Sequence, residues 1–187
     1  LEFPSSVKIL EVTAIPISSS PEAAAGFVTG EELVDRLVLN TIWSQRGNFI
    51  EVPTDCPQRD ERLGWTGDAQ VFSGTACWLA DSDRFFRKYL SDLMHDQRGN
   101  GSLPYFTPDP TLLCPKKIRC DWAGSTGWGD AITVIPWQHY LHYGDTSLLK
   151  QCLPAMLKWL NYLWSISDGL IIHPSNIWYD DSVFGEG

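Results

Sequence analysis

The residues best suited to chemistry lie between positions 55 and 68, where the sequence reads DCPQRDERLGWTGD. This segment holds four carboxylates, two guanidinium groups, one tryptophan and two glycines. A crowd of like charges raises the pKa of a carboxylic acid, which can then stay protonated near neutral pH. Such an acid can protonate a leaving oxygen while other carboxylates grip hydroxyl groups, which suits the cleavage of a glycosidic bond. The segment is therefore predicted to be the active-site loop of an enzyme that acts on sugars.

The alternative is a solvated charged loop, since clustered charges usually have that role. Two features favour a functional site. Pro57, Gly64 and Gly67 impose a specific backbone path, which a solvated loop does not need. Trp65 would be poorly placed among charges at a surface unless something stacks on it. The nine tryptophans of the chain also suggest aromatic walls around a ligand.

Other kinds of active site lack their motifs in this sequence. It contains no P-loop, no GxSxG, no HExxH and no glycine-rich nucleotide fingerprint after a strand. The aspartates of residues 55–68 do not have the alternating ligand spacing of an EF-hand. Cys114 and Cys120 have no CxxC motif and no nearby histidine to complete a ligand set. No metal or other cofactor is predicted, and His139 and His142 are expected to pack or lie at a surface rather than to catalyse.

Composition argues against several classes of partner. The chain has 23 acidic and 14 basic residues and a formal charge of −9, which argues against nucleic acid and anionic membranes. No apolar run reaches the ~20 residues that cross a bilayer, and residues 1–10 lack the features of a signal peptide. The five cysteines are widely spaced and odd in number, which does not indicate a disulfide framework. A cytoplasmic location is favoured over secretion, although the chain begins at Leu1 and is compatible with an upstream signal. The oligomeric state is unknown from the sequence.

The elements that must position this loop are mainly helices. Residues 7–16 alternate and are β-branched, which predicts a strand, and the small polar stretch 18–26 suits a linker. Apolar residues then recur at three- and four-residue steps, which predicts amphipathic helices. These helices cover residues 33–43, 71–79, 85–94 with Ser82 as cap, 128–143 with Pro136 bending or interrupting it, and 146–166 with Leu149, Leu153, Met156, Leu157, Leu160 and Trp164 on the buried side. Residues 48–53 and 170–174 are predicted to be extended, and the Gly-, Pro- and aromatic-rich stretch 98–126 to be functional.

One strand followed by about five helices is typical of antiparallel helical hairpins rather than of βαβ units. The predicted fold class is therefore all-α. Closing a ring of hairpins needs more helices than these, so the chain is expected either to be truncated or to form a smaller, open helical domain.

Two long runs make the chain recognisable. They are residues 40–49 (NTIWSQRGNF) and residues 53–70 (PTDCPQRDERLGWTGDAQ), followed downstream by GWGDA at 127–131 and YGD at 143–145. Together they closely resemble the bacterial and fungal α-L-rhamnosidases of glycoside hydrolase family 78, over roughly residues 28–163. Residues 1–26 are similar to the end of the β-domain that precedes the catalytic domain in these enzymes, together with a linker. Residues 27–187 would then form the first part of an (α/α)6 toroid.

The resemblance implies an inverting hydrolysis of terminal α-L-rhamnosides, with rhamnose-containing glycosides or polysaccharides as partners. Glu61 matches the proposed general acid of the family. The residues that match those holding the rhamnose are Asp55, Arg59, Trp65, Asp68 and, after loops of variable length, Trp128. Asp60 lies beside the acid and is given no role beyond electrostatics or structure.

The chain also departs from the family pattern. An inverting enzyme needs a second carboxylate about 6.5–9.5 Å from the acid, and in this family that base is a glutamate well downstream. Glu186 is not its equivalent, because residues 184–187 (FGEG) resemble a Phe-Gly-Asp-Trp stretch with both final residues changed. The chain on its own is therefore expected to be inactive. Two alternatives stay open: a non-catalytic carbohydrate-binding fragment, and another (α/α)6 glycosidase or lyase with a similar loop.

Overall fold

The structure, a computed structural model, describes residues 8, 10–20, 26–59, 61–110 and 122–167. Within these residues the chain forms six helices and one two-stranded hairpin. The elements are α1 (Glu32–Asn48), β1 (Phe49–Ile50), β2 (Val52–Pro53), α2 (Thr66–Leu79), α3 (Asp83–Asp96), α4 (Thr126–Gly129), α5 (Ala131–Tyr143) and α6 (Ser147–Ile166). The all-α prediction is confirmed.

The hydrophobic core lies where α2, α3, α5 and α6 meet. Helix α2 packs on α5, α5 on α6, and α3 on both α5 and α6. The buried side of α3 is the one predicted, since all of its apolar residues at helical spacing except Met94 are buried: Phe85, Phe86, Tyr89, Leu90 and Leu93. Each such side chain contributes on the order of 1.5–3 kcal/mol by leaving water. Because α3 is packed into this core, it can support the loops that contact it.

The short hairpin joins α1 to the core. Phe49 pairs with Pro53 across β1 and β2, and its ring stacks on Phe85 with centroids 4.1 Å apart. The tight reversal is made at Glu51, which has a positive φ of 64°. The predicted extended stretch at residues 48–53 is therefore a hairpin that sets the direction in which residues 54–65 leave α1.

The buried side predicted for α6 is wrong. Leu153, Leu157, Leu160 and Trp164 are at least half exposed. The side that faces the core instead carries Leu148, Cys152, Ala155, Trp159 and Leu163. Helix α6 is apolar around most of its circumference, so periodicity could not distinguish the two sides, and contact with α3 and α5 decided between them.

The strand predicted at residues 7–16 is not found in the part of it that the structure describes, residues 8 and 10–16. A strand needs a neighbour for its backbone hydrogen bonds, and no described segment pairs with these residues. The following polar stretch is bound to the hairpin, because the Ser19 amide donates to the carbonyl of Phe49 at 2.7 Å and the Ser19 hydroxyl accepts the amide of Glu51 at 2.9 Å. The predicted extended residues 170–174 lie outside the described part of the chain. The predicted division between residues 26 and 27 stays a prediction.

Two local predictions about helix ends need correction. Ser82 occupies the N-cap position of α3 but makes no side-chain cap hydrogen bond, because its hydroxyl donates back to the carbonyls of Ala76 and Ala80. Pro136 does not interrupt α5, which is continuous around it. The break lies at Asp130, where α4 ends and α5 begins. Pro136 lies in the second turn of α5, where the missing amide costs the helix one hydrogen bond.

Candidate active site

The loop between β2 and α2 is closed on itself at its base. The backbone amide of Asp55 donates to the carbonyl of Leu63 at 3.3 Å, and the amide of Leu63 donates to Oδ1 of Asp55 at 3.2 Å. The described residues between these two ends, 56–59 and 61–62, are here called the acid ring, because the segment closes where Asp55 meets Leu63. Within it Arg62 adopts a positive φ of 47°, a strained conformation for a non-glycine residue. The backbone path predicted from the prolines and glycines is thus imposed largely by hydrogen bonds to Asp55.

The acid ring brings three of the predicted site residues together. The Arg59 guanidinium lies 2.7 Å from Oε2 of Glu61 and 3.7 Å from Oδ2 of Asp55. The side chains differ in accessibility: Arg59 is 64% exposed, Glu61 33% and Asp55 only 9%. Glu61 and Arg59 are therefore open to a ligand, whereas Asp55 lies beneath them.

Asp55 is tied by both of its carboxylate oxygens. Oδ1 accepts the Leu63 amide, and Oδ2 accepts the Cys56 thiol at 2.7 Å. Donor atoms of Asp55, Cys56 and Glu61 lie within 4.8 Å of one another, a spacing that could hold a metal ion. The cation already placed among them is the Arg59 guanidinium, which would repel a metal. This arrangement suits an organic ligand with hydroxyl groups better than a metal.

Asp68 is the carboxylate at which crowding has a visible electrostatic effect. It lies in the first turn of α2, and its side chain is open to solvent on one side. Burial of the other side raises the pKa of Asp68, and the negative charges of Asp55 and Glu61 raise it further. The pKa of Asp68 is therefore raised first by burial and only secondarily by the crowding of like charges that the sequence predicted.

An aromatic cluster lies beside the loop. Its buried members are Trp65, Tyr105 and Phe106, with Leu63, Trp122 and Trp128 packed against them. Trp65 is 8% exposed and meets Phe106 edge-on at 5.0 Å. Its indole N–H has no hydrogen-bond partner among the described residues. Trp65 does not lie among charges at a surface, because the stretch 98–126 supplies the aromatic partners that bury it.

A cavity of about 510 Å³ opens between the end of α1, the start of α2 and α4. Its lining includes three predicted site residues, Asp55, Asp68 and Trp128, but not Arg59, Glu61 or Trp65. The remaining lining residues are Ser44, Gln45, Asn48, Phe49, Pro53, Thr54, Gly67, Ala69, Val71, Phe72 and Gly127. One wall of this cavity is the indole of Trp128, which stacks on Tyr105 with centroids 4.8 Å apart. The cavity thus combines an aromatic wall with the carboxylates of Asp55 and Asp68, which suits a pyranose ring with its apolar face and hydroxyl groups.

Trp128 is held in place from α2 and α6. The Gln70 side chain donates to the carbonyl of Gly127 at 2.7 Å. A Cβ at Gly67 would lie 3.0 Å from the same carbonyl and 3.2 Å from the Trp128 ring, so the glycine permits this close packing. Behind it, the Trp159 indole donates to Oδ1 of Asp130 at 2.9 Å. The conformation of residues 127–130 is therefore fixed by long-range contacts.

Comparison with known proteins identifies the family. Residues 22–181 match the bacterial alpha-L-rhamnosidase six-hairpin glycosidase domain. The chain belongs to this family. An alpha-L-rhamnosidase of Streptomyces avermitilis is 40% identical over 169 residues, covering 90% of this chain and 16% of the relative. An alpha-L-rhamnosidase of Formosa agariphila is 40% identical over 147 residues, covering 79% of the chain and 15% of the relative.

Solved rhamnosidase structures agree with the fold. The Streptomyces avermitilis alpha-L-rhamnosidase complexed with L-rhamnose superposes with a TM-score of 0.72 at 42% identity, covering 81% of this chain and 14% of that one. The alpha-L-rhamnosidase from Dictyoglumus thermophilum superposes with a TM-score of 0.69 at 35% identity, covering 79% and 16%. The helical hairpins described above are thus those of the six-hairpin glycosidase fold. The chain spans about 15% of the length of the relatives it matches.

Sequence reasoning missed the residues that support the loop of this rhamnosidase-family chain. Tyr89 on α3 donates its hydroxyl to the carbonyl of Gly64 at 2.9 Å. Thr107 donates its backbone amide to the same carbonyl at 3.0 Å. Asp96 accepts the Thr107 hydroxyl and the Asp109 amide. A tyrosine on an apolar helical face gives no sign of function in the sequence, so only the structure could reveal these contacts.

The two histidines placed outside catalysis pack as expected. His139 is fully buried, and its Nε2 lies 2.6 Å from Oδ1 of Asp83. The His142 ring packs edge-on against Trp78 at 4.9 Å. Neither lines the cavity.

No described helix is long and apolar enough to cross a membrane.

Proposed function

We propose that this protein takes part in the hydrolysis of terminal α-L-rhamnosides, with Glu61 as the general acid. The observation that carries the proposal is the acid ring in a chain of the six-hairpin rhamnosidase family. The ring presents a partly exposed Glu61 beside Arg59, and it is closed through Asp55, which lines the cavity. A general acid must lie within hydrogen-bond reach of the leaving oxygen, and a ligand that extends out of the cavity would bring that oxygen towards Glu61.

The other predicted residues divide into three groups. Asp55, Asp68 and Trp128 line the cavity and would hold the rhamnose, with carboxylates binding hydroxyl groups and the indole covering the apolar face of the ring. Arg59 lies outside the cavity with a largely exposed side chain, and it would bind hydroxyl groups near the acid. Trp65 is packed beneath these residues and would support the site from within the aromatic cluster.

The stereochemistry we propose is inversion. An inverting glycosidase places its base about 6.5–9.5 Å from the acid to leave room for water. Asp55 cannot have this role, because its nearest donor atom lies within 4.8 Å of the donor atom of Glu61. Both Asp55 oxygens are also engaged within the loop. Asp55 is therefore not assigned as the base.

The test is turnover of methyl α-L-rhamnopyranoside, whose poor leaving group must be protonated by the acid, by the full-length protein. Glu61→Gln keeps the size of the side chain but cannot donate a carboxylic proton, so turnover is expected to fall by about 10²–10⁴-fold. Binding of free L-rhamnose, measured by calorimetry, is expected to change little. The matched control is Glu32→Gln, the same exchange in the first turn of α1.

Three outcomes would count against the proposal. Full activity of Glu61→Gln would remove the general-acid role. Binding of rhamnose by a wild-type protein with no turnover would favour a carbohydrate-binding role instead. Release of the α-anomer first, seen by proton NMR, would replace inversion by retention.

A further inference from the structure

We infer that Tyr89 is a positioning residue for the general acid, acting through the carbonyl of Gly64. The inference rests on the proposed function, since it assigns a role relative to Glu61. Tyr89 belongs to α3 and lies outside the acid ring and the cavity lining. Its hydroxyl nevertheless donates to Gly64, only three residues after Glu61.

Gly64 is pressed against its supports. Its carbonyl accepts hydrogen bonds from the Tyr89 hydroxyl and from the Thr107 amide. A Cβ at this position would lie 2.3 Å from the carbonyl oxygen of Thr107 and 3.4 Å from the Tyr89 ring. The backbone at residue 64 therefore touches both supports directly and has little freedom to shift unless they move.

The adjoining backbone needs such support. Arg62 is in a left-handed conformation, which a non-glycine residue keeps only where its surroundings enforce it. The two residues that follow Arg62 are both fixed, Leu63 by its closure with Asp55 and Gly64 by Tyr89 and Thr107. Glu61 lies next to Arg62, so the direction of its side chain depends on both attachments.

The support itself is anchored in the core. Residues 64–66 pair with residues 105–107, because the Thr107 amide donates to Gly64 and the Thr66 amide donates to Tyr105. At the end of α3, Asp96 accepts the hydroxyl of Thr107. Tyr89 is fully buried in the same helix. Helix α3 thus holds the end of the acid ring both directly, through Tyr89, and indirectly, through Asp96 and Thr107.

The tyrosine is suited to a constant donor role. Burial, together with the negative charges of Asp68 and Asp92, raises the pKa of Tyr89 well above its ordinary value. The hydroxyl therefore keeps its proton at any pH used to assay a glycosidase. A phenylalanine would fill the same space without donating to Gly64.

The experiment compares Tyr89→Phe with wild type in the full-length protein on two substrates. Methyl α-L-rhamnopyranoside has a poor leaving group and depends on the acid, whereas 4-nitrophenyl α-L-rhamnopyranoside depends on it little. General acids contribute ~10²–10⁴-fold, so a partly displaced acid is expected to lower kcat on the methyl glycoside by about ten-fold. On the nitrophenyl glycoside kcat is expected to stay within about two-fold, with KM nearly unchanged for both.

The matched control is Tyr143→Phe. The Tyr143 hydroxyl accepts the backbone amide of Ser82 at 2.8 Å, so this variant also removes one hydrogen bond between a tyrosine and the backbone. Tyr143 ends α5 and contacts α3 at its N-cap, Ser82, away from the acid ring. It is expected to lower the melting temperature without changing the ratio of the two rates.

The outcomes separate this inference from the proposed function. Suppose that the wild type is active and that Tyr89→Phe loses activity equally on both substrates, in step with its melting temperature. Tyr89 would then be merely structural, and the inference would be overturned. Unchanged rates on both substrates would overturn it as well. An inactive wild type would instead refute the proposed function.

Discussion

Replacing Gly64 by alanine should destabilise the protein through one close contact. The added Cβ would lie 2.3 Å from the Thr107 carbonyl oxygen and 3.2 Å from the Cβ of Val52. Overpacking of this kind costs about 1–3 kcal/mol. If the shift also breaks one of the two hydrogen bonds to the Gly64 carbonyl, about 0.5–1.5 kcal/mol is added. Alanine recovers about 0.4–1 kcal/mol by restricting the unfolded chain, so we expect a net loss of roughly 1–3 kcal/mol in the free energy of unfolding.

The assay is urea unfolding followed by the fluorescence of the nine tryptophans, which include Trp65 next to Gly64. With a slope of about 1–3 kcal/mol per molar urea, the midpoint should fall by roughly 1 M. Gly47→Ala is the control, because a Cβ there meets nothing within 4 Å and Gly47 lies in the last turn of α1. That exchange should raise stability by about 0.5–1 kcal/mol. A Gly64→Ala protein as stable as wild type would refute the reasoning, because the packing described here leaves no room for the methyl group.

Three further predictions follow from contacts away from Gly64. Gln70→Leu removes the hydrogen-bond donor to the carbonyl of Gly127. It should raise KM for rhamnosides by about three- to ten-fold, since a hydrogen bond is worth about 0.5–1.5 kcal/mol. An unchanged KM would show that the Trp128 wall of the cavity needs no such support. Hydrogen bonds from the Ser147 side chain and amide, and then from Arg87, lower the pKa of Asp145 to about 2. The stability it contributes is therefore present above its unfolded pKa of about 4 and is lost as pH falls towards 2, so Asp145→Asn should unfold with a shallower acid dependence in pH titrations followed by circular dichroism. Burial raises the pKa of Cys77 and of Cys152 to about 11, so both thiols should resist iodoacetamide at pH 8 until urea is added, and rapid labelling of the folded protein, seen by mass spectrometry, would contradict this.

The helices were predictable where one side is polar and the other apolar. Helix α3 shows this pattern, and nearly all of its predicted apolar residues are buried. Helix α6 does not, because leucines and tryptophans surround it and both sides satisfy the same periodicity. The strand prediction at residues 7–16 failed for a related reason. Alternation describes what a strand could bury, whereas pairing depends on a neighbouring strand that the local sequence does not specify.

The site was predictable in its composition and only partly in its geometry. The charges, glycines and tryptophan of residues 55–68 are enough by themselves to indicate a functional loop. Their spacing does not indicate that Asp55 closes the loop onto Leu63, or that Trp65 turns away from the charges into an aromatic cluster. The burial of Trp65 depends on Tyr105 and Phe106, which are distant in sequence and become neighbours only through the fold.

The closure at Asp55 and Leu63 has a consequence for protein engineering. Because the two ends of the acid ring bond to each other, the segment between Asp55 and Leu63 can be exchanged as a unit while its two attachment points keep their positions. A segment of equal length from another member of the family should fit between Asp55 and Leu63 without changes to the surrounding helices. Inserting or deleting a single residue would instead change the direction of the Glu61 side chain while leaving the hydrogen bonds between Asp55 and Leu63 in place. The length of the acid ring therefore determines the direction of the Glu61 side chain. The residue types within the ring determine the surroundings of that side chain.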